Sequence, residues 1–338
     1  MPSRNRSRAR CRTALAPLAG ALLATLATVA TLWSPGTIGQ ERWPARPIQL
    51  IAPLSTGTTI DFVARLYAER LSAALGQSVV VQNRPGAGGT IAAQSVARAA
   101  PDGYTILIVN SQHSINPSLY PSLPYDTLLD FSAVAMIAEA PSVIAVHPSL
   151  GVKSIRELIE LARARPGSVN YGSAGVGTTT HLGGAAFAAR AGIELVHVPY
   201  KGPELLTDLL AGRVSVIFVP IPFVLQQIRD GKLIALAVTS REGMKAPLET
   251  GSVADSGLPG FEYATYYGFV APAKVPAPVM STLVRAINQA TADREVRARL
   301  EAQAMFPREL GPAAFDAWIR ADMDRIAPVV RASGARAN

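Results

Sequence analysis

The chain has 338 residues, 49% of them hydrophobic, and a net charge of +8, which fits a globular α/β protein long enough for two domains. Five of its arginines lie within the first 40 residues, which contain no acidic residue, so the remainder carries only +3. Because no cluster of basic residues follows, we expect no nucleic-acid partner.

The first 40 residues have the order of an export signal. An arginine-rich opening precedes the uncharged segment Thr13–Trp33, and small residues at Thr37 and Gly39 suit a cleavage site. We therefore predict a signal peptide over residues 1–40. The apolar part is about 20 residues long and within reach of a membrane span, so an uncleaved anchor is the alternative. Cys11 lies in this segment and is the only cysteine, so the mature protein would have no disulfide or thiol nucleophile.

Residues 48–109 are typical of a β-α-β-α-β unit with two glycine-containing loops. The predicted strands are 48–52, 78–81 and 104–109, and the predicted helices are 60–75 and 90–99. The loops are Pro53–Thr59 and Asn83–Gly89. Such loops join the carboxyl ends of parallel strands to helix N-termini, which is where small anions bind in open α/β sheets.

A turn-rich passage, 110–130, precedes a second α/β unit at 143–240. Two apolar strands, 133–138 and 143–146, are predicted on either side of Glu139–Pro141. Further strands are predicted at 169–171, 195–198, 214–219, 233–238 and 263–270, and helices at 154–164, 181–191, 203–211, 223–230, 278–300 and 312–331. Ser154 and Glu157 have the spacing of a capping box.

This order predicts two α/β lobes joined near 139–143 and 263–270, with a cleft between them. The last helices would then pack back on the first lobe. A hinge of this kind closes around a ligand.

Two loops combine glycines with small hydroxyl residues just before a helix, namely Ser55–Thr59 and Ser173–Thr180. Glycine lets the backbone approach a ligand, and the helix end supplies unpaired N–H donors with a partial positive charge, so a carboxylate or phosphate suits either loop. The alternative is that the hydroxyls only cap the helices. The spacing favours neither interpretation.

Other kinds of site find little support. Neither loop has a nucleotide-binding spacing, and Gly86–Gly89 is better explained by a tight turn and a helix–sheet contact. The histidines at 113, 147, 181 and 197 lack the spacing of a metal site, so we expect no metal and no cofactor. A secreted hydrolase using Ser173 with His181, or Ser111 with His113, lacks a Gly-x-Ser-x-Gly elbow.

A series of short motifs resembles a known family. In chain order they are Arg46-Pro-Ile, Asn83-Arg-Pro-Gly-Ala-Gly-Gly89, Pro101-Asp-Gly-Tyr-Thr105, Asn116-Pro-Ser-Leu-Tyr120, Leu123-Pro-Tyr-Asp126, Thr180-His-Leu182, Val198-Pro-Tyr-Lys-Gly202 and Ala235-Leu-Ala-Val-Thr-Ser240. Together they resemble the Bug family of periplasmic solute-binding proteins, the TctC-like receptors of tripartite tricarboxylate transporters. The resemblance covers about residues 43–330.

The resemblance implies an α/β, two-lobed type II periplasmic binding protein, or Venus flytrap, with two crossing segments and an interlobe cleft. Lobe 1 would comprise 41–140 and 266–338, and lobe 2 would comprise 141–265. It implies a monomeric, non-enzymatic periplasmic receptor that passes a small carboxylate to a membrane permease. A sensor that signals to a membrane sensor kinase is the alternative.

Family ligands are held mainly by backbone groups and ordered water between the lobes, so the resemblance directs attention to the two loops and the strand ends beside them. The predicted ligand-binding residues are Leu54, Ser55, Thr56, Gly57, Thr58, Thr59, Asn110, Ser111, Ser173, Gly177, Thr178, Thr179, Thr180, His181, Tyr200 and Pro220. The chain departs from the family pattern in the first loop, where hydroxyl residues replace a proline and a glycine, and at Ala185 and Val219, where acids are usual. The missing acids favour a ligand without an ammonium group.

Overall fold

The structure, a computed structural model, describes residues 43–200 and 204–337. The predicted signal peptide, Cys11 and the Lys201–Gly202 part of one motif lie outside these ranges. Residues 44–338 form one compact unit. No helix within the described ranges combines the length and the apolar character needed to span a membrane.

Strands and helices alternate along most of the described chain. The strands are β1 (Ile48–Ala52), β2 (Val79–Asn83), β3 (Thr105–Asn110), β4 (Phe131–Val146), β5 (Asn170–Ser173), β6 (Val196–Pro199), β7 (Val216–Pro220), β8 (Ile234–Val238), β9 (Ala264–Pro272) and β10 (Phe306–Leu310). The α-helices are α1 (Thr59–Leu75), α2 (Thr90–Ala97), α3 (Gln112–Leu119), α4 (Ile155–Ala164), α5 (Thr179–Ala191), α6 (Glu204–Leu210), α7 (Leu225–Arg229), α8 (Ala277–Ala292), α9 (Arg294–Glu301) and α10 (Pro312–Ser333).

The first half of the sheet has the order β2-β1-β3-β9-β4, with β10 on the far side of β4. Strands β1, β2 and β3 are parallel, and β9 is antiparallel to both β3 and β4. Four of the five β1 side chains are fully buried, as the continuous apolar run predicts. Parallel pairing brings the ends of β1, β2 and β3, and the loops that follow, to one edge of the sheet.

The second half of the sheet is built around the last residues of β4. It has the order β4-β7-β5-β6, and β8 pairs with the other side of β4. Strands β5, β6 and β7 are parallel, so their carboxyl ends also share one edge. The structure is therefore an α/β fold with two lobes, one on each half of the curled sheet.

Strand β4 belongs to both lobes. The sequence predicts two strands separated by Glu139–Pro141, but the structure has one strand of 16 residues. Pro141 is the last residue paired with β9, and Ser142 is the first paired with β7. The proline is tolerated because it stands where the strand changes partners. The exact residue limits of the two lobes stay a prediction.

Helix α10 contributes to the cores of both lobes. Phe315 and Ile319, in its first half, pack with residues of β1, β3, β4 and β9, whereas Ile326 and Val330 pack with residues of α4, α5 and β7. Helix α8 lies on α1, where Tyr67 and Thr291 share a buried hydroxyl hydrogen bond of 2.9 Å. The sequence predicts that the last helices pack on the first lobe. In the structure α10 packs on the second lobe as well.

Candidate functional site

Loop 1, residues Leu54–Thr58, joins β1 to α1 and is exposed at Ser55, Thr56 and Gly57. Gly57 has a φ of +84° and no atom near the position of an added Cβ, so glycine is needed there for backbone conformation alone. The chain then enters α1 through Thr58, which has extended backbone angles.

The first turn of α1 has open N–H groups. Thr58 stands at the N-cap position, but its hydroxyl donates to the carbonyl of Ser55 at 2.8 Å and makes no capping bond. The N–H groups of Thr59, Ile60 and Asp61 have no hydrogen-bond acceptor among the described residues. The capping interpretation of Thr58 is therefore wrong for loop 1, and this helix end can receive an anion.

Asp61 stabilises loop 1 through hydrogen bonds. Its carboxylate accepts hydrogen bonds from the Gly57 N–H at 2.9 Å, from Asn83 Nδ2 at 2.8 Å and from Arg65 Nε at 3.1 Å. Asn83 Nδ2 also donates to the carbonyl of Leu54 at 2.9 Å. Burial acts to raise the pKa of Asp61, but the hydrogen bonds from Arg65, Gly57 and Asn83 outweigh it and lower the pKa below its usual value.

Asn110 is the last residue of β3 and Ser111 follows it, at the same edge of the sheet as loop 1. Asn110 Oδ1 accepts from the N–H of Gln112 at 3.1 Å and so begins α3. Ser111 is buried, and its hydroxyl accepts from the N–H of Tyr266 in β9 at 3.1 Å. The structure thus shows structural contacts for both side chains, and their role in ligand binding stays a prediction.

Loop 2, residues Ser173–Thr178, joins β5 to α5 and is more fully hydrogen-bonded than loop 1. The Thr178 hydroxyl accepts from the N–H of His181 at 3.4 Å, and the Thr180 hydroxyl accepts from the N–H of Ala174 at 3.0 Å. Capping by Thr178 is therefore present here. The N–H groups of Thr179 and Thr180 nevertheless lack an acceptor among the described residues, so this helix end is also partly open.

Two histidines lie behind loop 2. His181 is 3% exposed, and its Nδ1 accepts from the N–H of Gly177 at 3.1 Å. His197 Nε2 lies 2.6 Å from the Ser173 hydroxyl, and the two imidazole rings stack with centroids 3.8 Å apart. Burial, with a smaller contribution from His197, lowers the pKa of His181 to about 4. Sequence reasoning missed His197, since only the pairing of β5 with β6 places Tyr171 opposite His197.

Neither serine–histidine pair considered for a hydrolase forms. Ser173 contacts His197 instead of His181, and the Ser173 side chain is fully buried. His113 is enclosed by Tyr125 and Phe131, while Ser111 bonds to β9. His181 is buried against its own lobe, which is the outcome that argues against the hydrolase interpretation.

Tyr200 follows β6 directly, and Pro220 is the last residue of β7. The Tyr200 N–H donates to the carbonyl of Ser173 at 3.0 Å, and its hydroxyl donates to Asp208 Oδ2 at 2.8 Å. Burial and this bond to Asp208 raise the pKa of Tyr200 to about 12. Pro220 is half-buried and lies opposite Ser142 of β4. Both residues therefore stand near the carboxyl ends of β6 and β7, beside loop 2.

Helix α3 brings loop 2 into contact with the first lobe. Gln112 Nε2 donates to the carbonyl of Gly177 at 3.3 Å and to Asn116 Oδ1 at 2.9 Å. Asn116 Nδ2 donates in turn to the carbonyl of Gly88 at 3.2 Å. A Cβ on Gly177 would lie 2.5 Å from the Leu119 side chain. The Gly86–Gly89 segment therefore contributes to packing, as a short 3-10 turn next to α3.

Comparisons with known proteins agree with this geometry. A family model described as "Tripartite tricarboxylate transporter family receptor" matches residues 63–334. The protein BugT of Bordetella pertussis is 35% identical over 311 residues, which are 91% of this chain and 95% of BugT.

Two solved structures extend the comparison to the fold. An R. palustris protein determined with adipate is 33% identical, with a TM-score of 0.77 over 87% of this chain and 99% of that one. MatC from Rhodopseudomonas palustris, with bound malate, is 27% identical, with a TM-score of 0.73 over 85% of this chain and 100% of that one. The chain therefore belongs to the TctC (Bug) family of tripartite tricarboxylate transporter receptors, with the two-lobed fold of periplasmic solute-binding proteins.

Proposed function

We propose that the chain is a periplasmic receptor that captures a small carboxylate between loop 1 and loop 2 and delivers it to a membrane transporter of the tripartite tricarboxylate type. The observation that carries the proposal is the pair of open helix ends, with free N–H groups at Thr59 and Ile60 in one lobe and at Thr179 and Thr180 in the other. Two such ends, one in each lobe, suit a ligand with two anionic groups.

The chemistry of the loops favours an anion over a zwitterion. Neither Leu54–Thr59 nor Ser173–Thr180 contains an ionisable residue, so both present backbone dipoles and hydroxyl groups only. The nearest carboxylate to loop 1 in the chain, Asp61, is 3% exposed and is occupied by three donors. An ammonium group on the ligand would find no carboxylate in these loops to pair with.

The family supports the same class of ligand. Adipate and malate, seen in the two related structures, are both dicarboxylates. Val219 adds to the argument, because the position where an acid is usual is occupied here by a buried apolar side chain. We propose the same sixteen residues as the binding surface, with the backbone N–H groups as the main donors.

Calorimetric titration of the purified protein with a ligand panel tests the proposal. Adipate and malate should bind with one site per chain, whereas adipamide, which has the same carbon chain without charge, should not bind. Aspartate and glutamate should bind more weakly than the plain dicarboxylates. Equal binding of adipamide would show that the open N–H groups do not recognise a carboxylate.

Uptake measurements separate transport from sensing. Cells that lack this chain should take up the bound carboxylate more slowly, and expression of the chain should restore uptake. Uptake that is unchanged by its loss, with an altered transcriptional response to the ligand, would favour the sensor instead.

A further inference from the structure

His181 is one of the proposed binding residues, but the proposed function assigns no role to its stacking on His197. The two rings are 3.8 Å apart and nearly parallel, at 19°, and Tyr171 extends the stack, with its ring centroid 5.0 Å from that of His197. Each imidazole is hydrogen-bonded to loop 2 rather than to the body of the lobe. The stack is therefore attached to loop 2, the segment of the second lobe that is proposed to bind the ligand.

The hydrogen bond to Gly177 defines the protonation of His181. An N–H can only donate, so the bond from the Gly177 N–H at 3.1 Å requires an unprotonated Nδ1. Neutral His181 then carries its proton on Nε2. A proton on Nδ1 would point at the Gly177 N–H, and this buried backbone donor would lose its acceptor.

His197 responds differently to a proton. Its Nε2 contacts the Ser173 hydroxyl, which also accepts from the N–H of Gly175 at 3.1 Å and lies 3.1 Å from the carbonyl of Gly175. Nε2 of a neutral His197 can accept a hydrogen bond from the Ser173 hydroxyl. A charged His197 donates to the serine oxygen instead, and the hydroxyl turns to the Gly175 carbonyl. His181 has no such alternative, because the Gly177 N–H cannot accept a hydrogen bond from a protonated Nδ1.

Few other groups act on the pair. Tyr171 of β5 stacks on it, and Tyr263 donates to the carbonyl of Thr179 at 2.9 Å. A cavity of about 450 Å³ opens onto both imidazoles. It is also lined by Glu194 and by residues 332–335, at and just after the end of α10, which have no titratable side chain. Glu194 is the one carboxylate that lines this cavity in the described ranges, and protons can reach the rings through the cavity.

We propose that neutral His181, held against His197, is the positioning residue that fixes Gly177 and so orients the open N–H groups of Thr179 and Thr180 toward the ligand. This inference rests on the proposed function. His181 acts through the loop and does not itself need to touch the ligand. Protonation of His181 would release Gly177 and weaken ligand binding.

Two substitutions of His181 distinguish the contribution of the Nδ1 acceptor from that of the aromatic ring. In His181→Asn, Oδ1 can take the place of Nδ1 as the acceptor for Gly177 without titrating, so the affinity for adipate at pH 7.5 should stay within about threefold of the parent. His181→Phe keeps the ring and removes the acceptor, and the affinity should fall about tenfold, as the loss of one buried hydrogen bond implies. His147→Asn, which changes a histidine outside loop 2, is the control and should bind as the parent does.

Nuclear magnetic resonance of the parent protein tests the same inference without any ligand. Long-range imidazole spectra should show His181 protonated at Nε2 at pH 7.5, and the amide of Gly177 should be protected from hydrogen exchange. On acidification the Gly177 amide should shift with the titration of His181, and this shift should be absent in His181→Asn.

A His181 that is protonated at Nδ1 at pH 7.5 would overturn the inference, as would a His181→Phe protein that binds adipate as tightly as the parent. If the parent binds no carboxylate, the proposed function fails, and the imidazole spectra and Gly177 exchange still decide whether His181 holds the loop.

Discussion

Ser142 and Thr239 are joined by hydrogen bonds that run in both directions. The Ser142 N–H donates to Thr239 Oγ1 at 2.8 Å, and the Thr239 N–H donates to the carbonyl of Ser142 at 2.9 Å. The Tyr263 N–H donates to the carbonyl of Thr239 at 2.9 Å. Because Ser142 lies in β4 and Tyr263 directly precedes β9, Thr239 connects the two segments that cross between the lobes.

Replacement of Thr239 by valine should destabilise the protein. The change keeps the shape and leaves the buried Ser142 N–H without its acceptor, which costs about 1–3 kcal/mol. Thr239→Ser retains the hydroxyl and should recover most of this loss. Urea denaturation of the three proteins measures the effect, and equal midpoints for valine and threonine would show that the hydroxyl contributes nothing.

Proline at position 59 should remove one ligand donor and leave α1 intact. Thr59 is the first residue of the helix, where proline is tolerated, and Thr58 already has the extended backbone that a residue before proline needs. Loss of one N–H that binds a charged group should weaken carboxylate binding roughly tenfold or more. Thr59→Ala keeps the N–H and is the matched control. If both variants lose affinity equally by calorimetry, the hydroxyl and not the backbone is the donor.

Alanine at position 177 should cost more stability than alanine at another glycine with positive φ. Gly177 has a φ of +76°, and an added Cβ would overlap the Leu119 side chain of α3. Gly192 ends α5, the helix that follows loop 2, with a φ of +61° and has open space around its Cβ position, so Gly192→Ala reports the backbone cost alone. We expect about 1–2 kcal/mol for Gly192→Ala and a larger loss for Gly177→Ala. Equal losses of unfolding free energy in the two variants would mean that Leu119 of α3 moves aside for the added methyl group at little cost.

His113 should make the protein sensitive to acid. Burial lowers the pKa of His113 to about 4, and its Nε2 has no hydrogen-bond partner among the described residues. In the unfolded chain its pKa is about 6.5, so the unfolded state binds the proton first as the pH falls. The stability that the neutral ring contributes is present above pH 6.5 and is lost between about 6.5 and 4.

A phenylalanine at position 113 tests this pH dependence. His113→Phe keeps an aromatic ring between Tyr125 and Phe131 and removes the titrating group. The difference in unfolding free energy between the two proteins should grow by about 3 kcal/mol in favour of phenylalanine from pH 7 to pH 4. A difference that stays constant over this range would show that His113 is charged in the fold or is hydrated.

The regular part of the fold could be predicted from local pattern. The first β-α-β-α-β unit and the end of α1 at Gly76 follow from apolar spacing and glycine capping. The capping box of α4 is confirmed in modified form, because the Glu157 N–H donates to Ser154 Oγ while the Glu157 carboxylate accepts from Lys153 instead of Ser154.

The missed elements depend on contacts that are distant in sequence. Helix α3 contains Pro117, and its sequence predicts turns, but Ile115 and Leu119 are buried in the core of the second lobe and stabilise it. Strand β10 is short and largely exposed, and it exists because it pairs with β4. The contact of His181 with His197 likewise requires the pairing of β5 with β6. Local pattern located loop 1 and loop 2 but could not show how their hydroxyls are bonded.

Helix α10 limits how the two lobes can move relative to each other. At 22 residues it is about 33 Å long, and one end is embedded in each core. The lobes cannot move apart without drawing Phe315 or Val330 out of its packing. Ligand capture should therefore proceed by a motion of the lobes that keeps both ends of α10 in their cores.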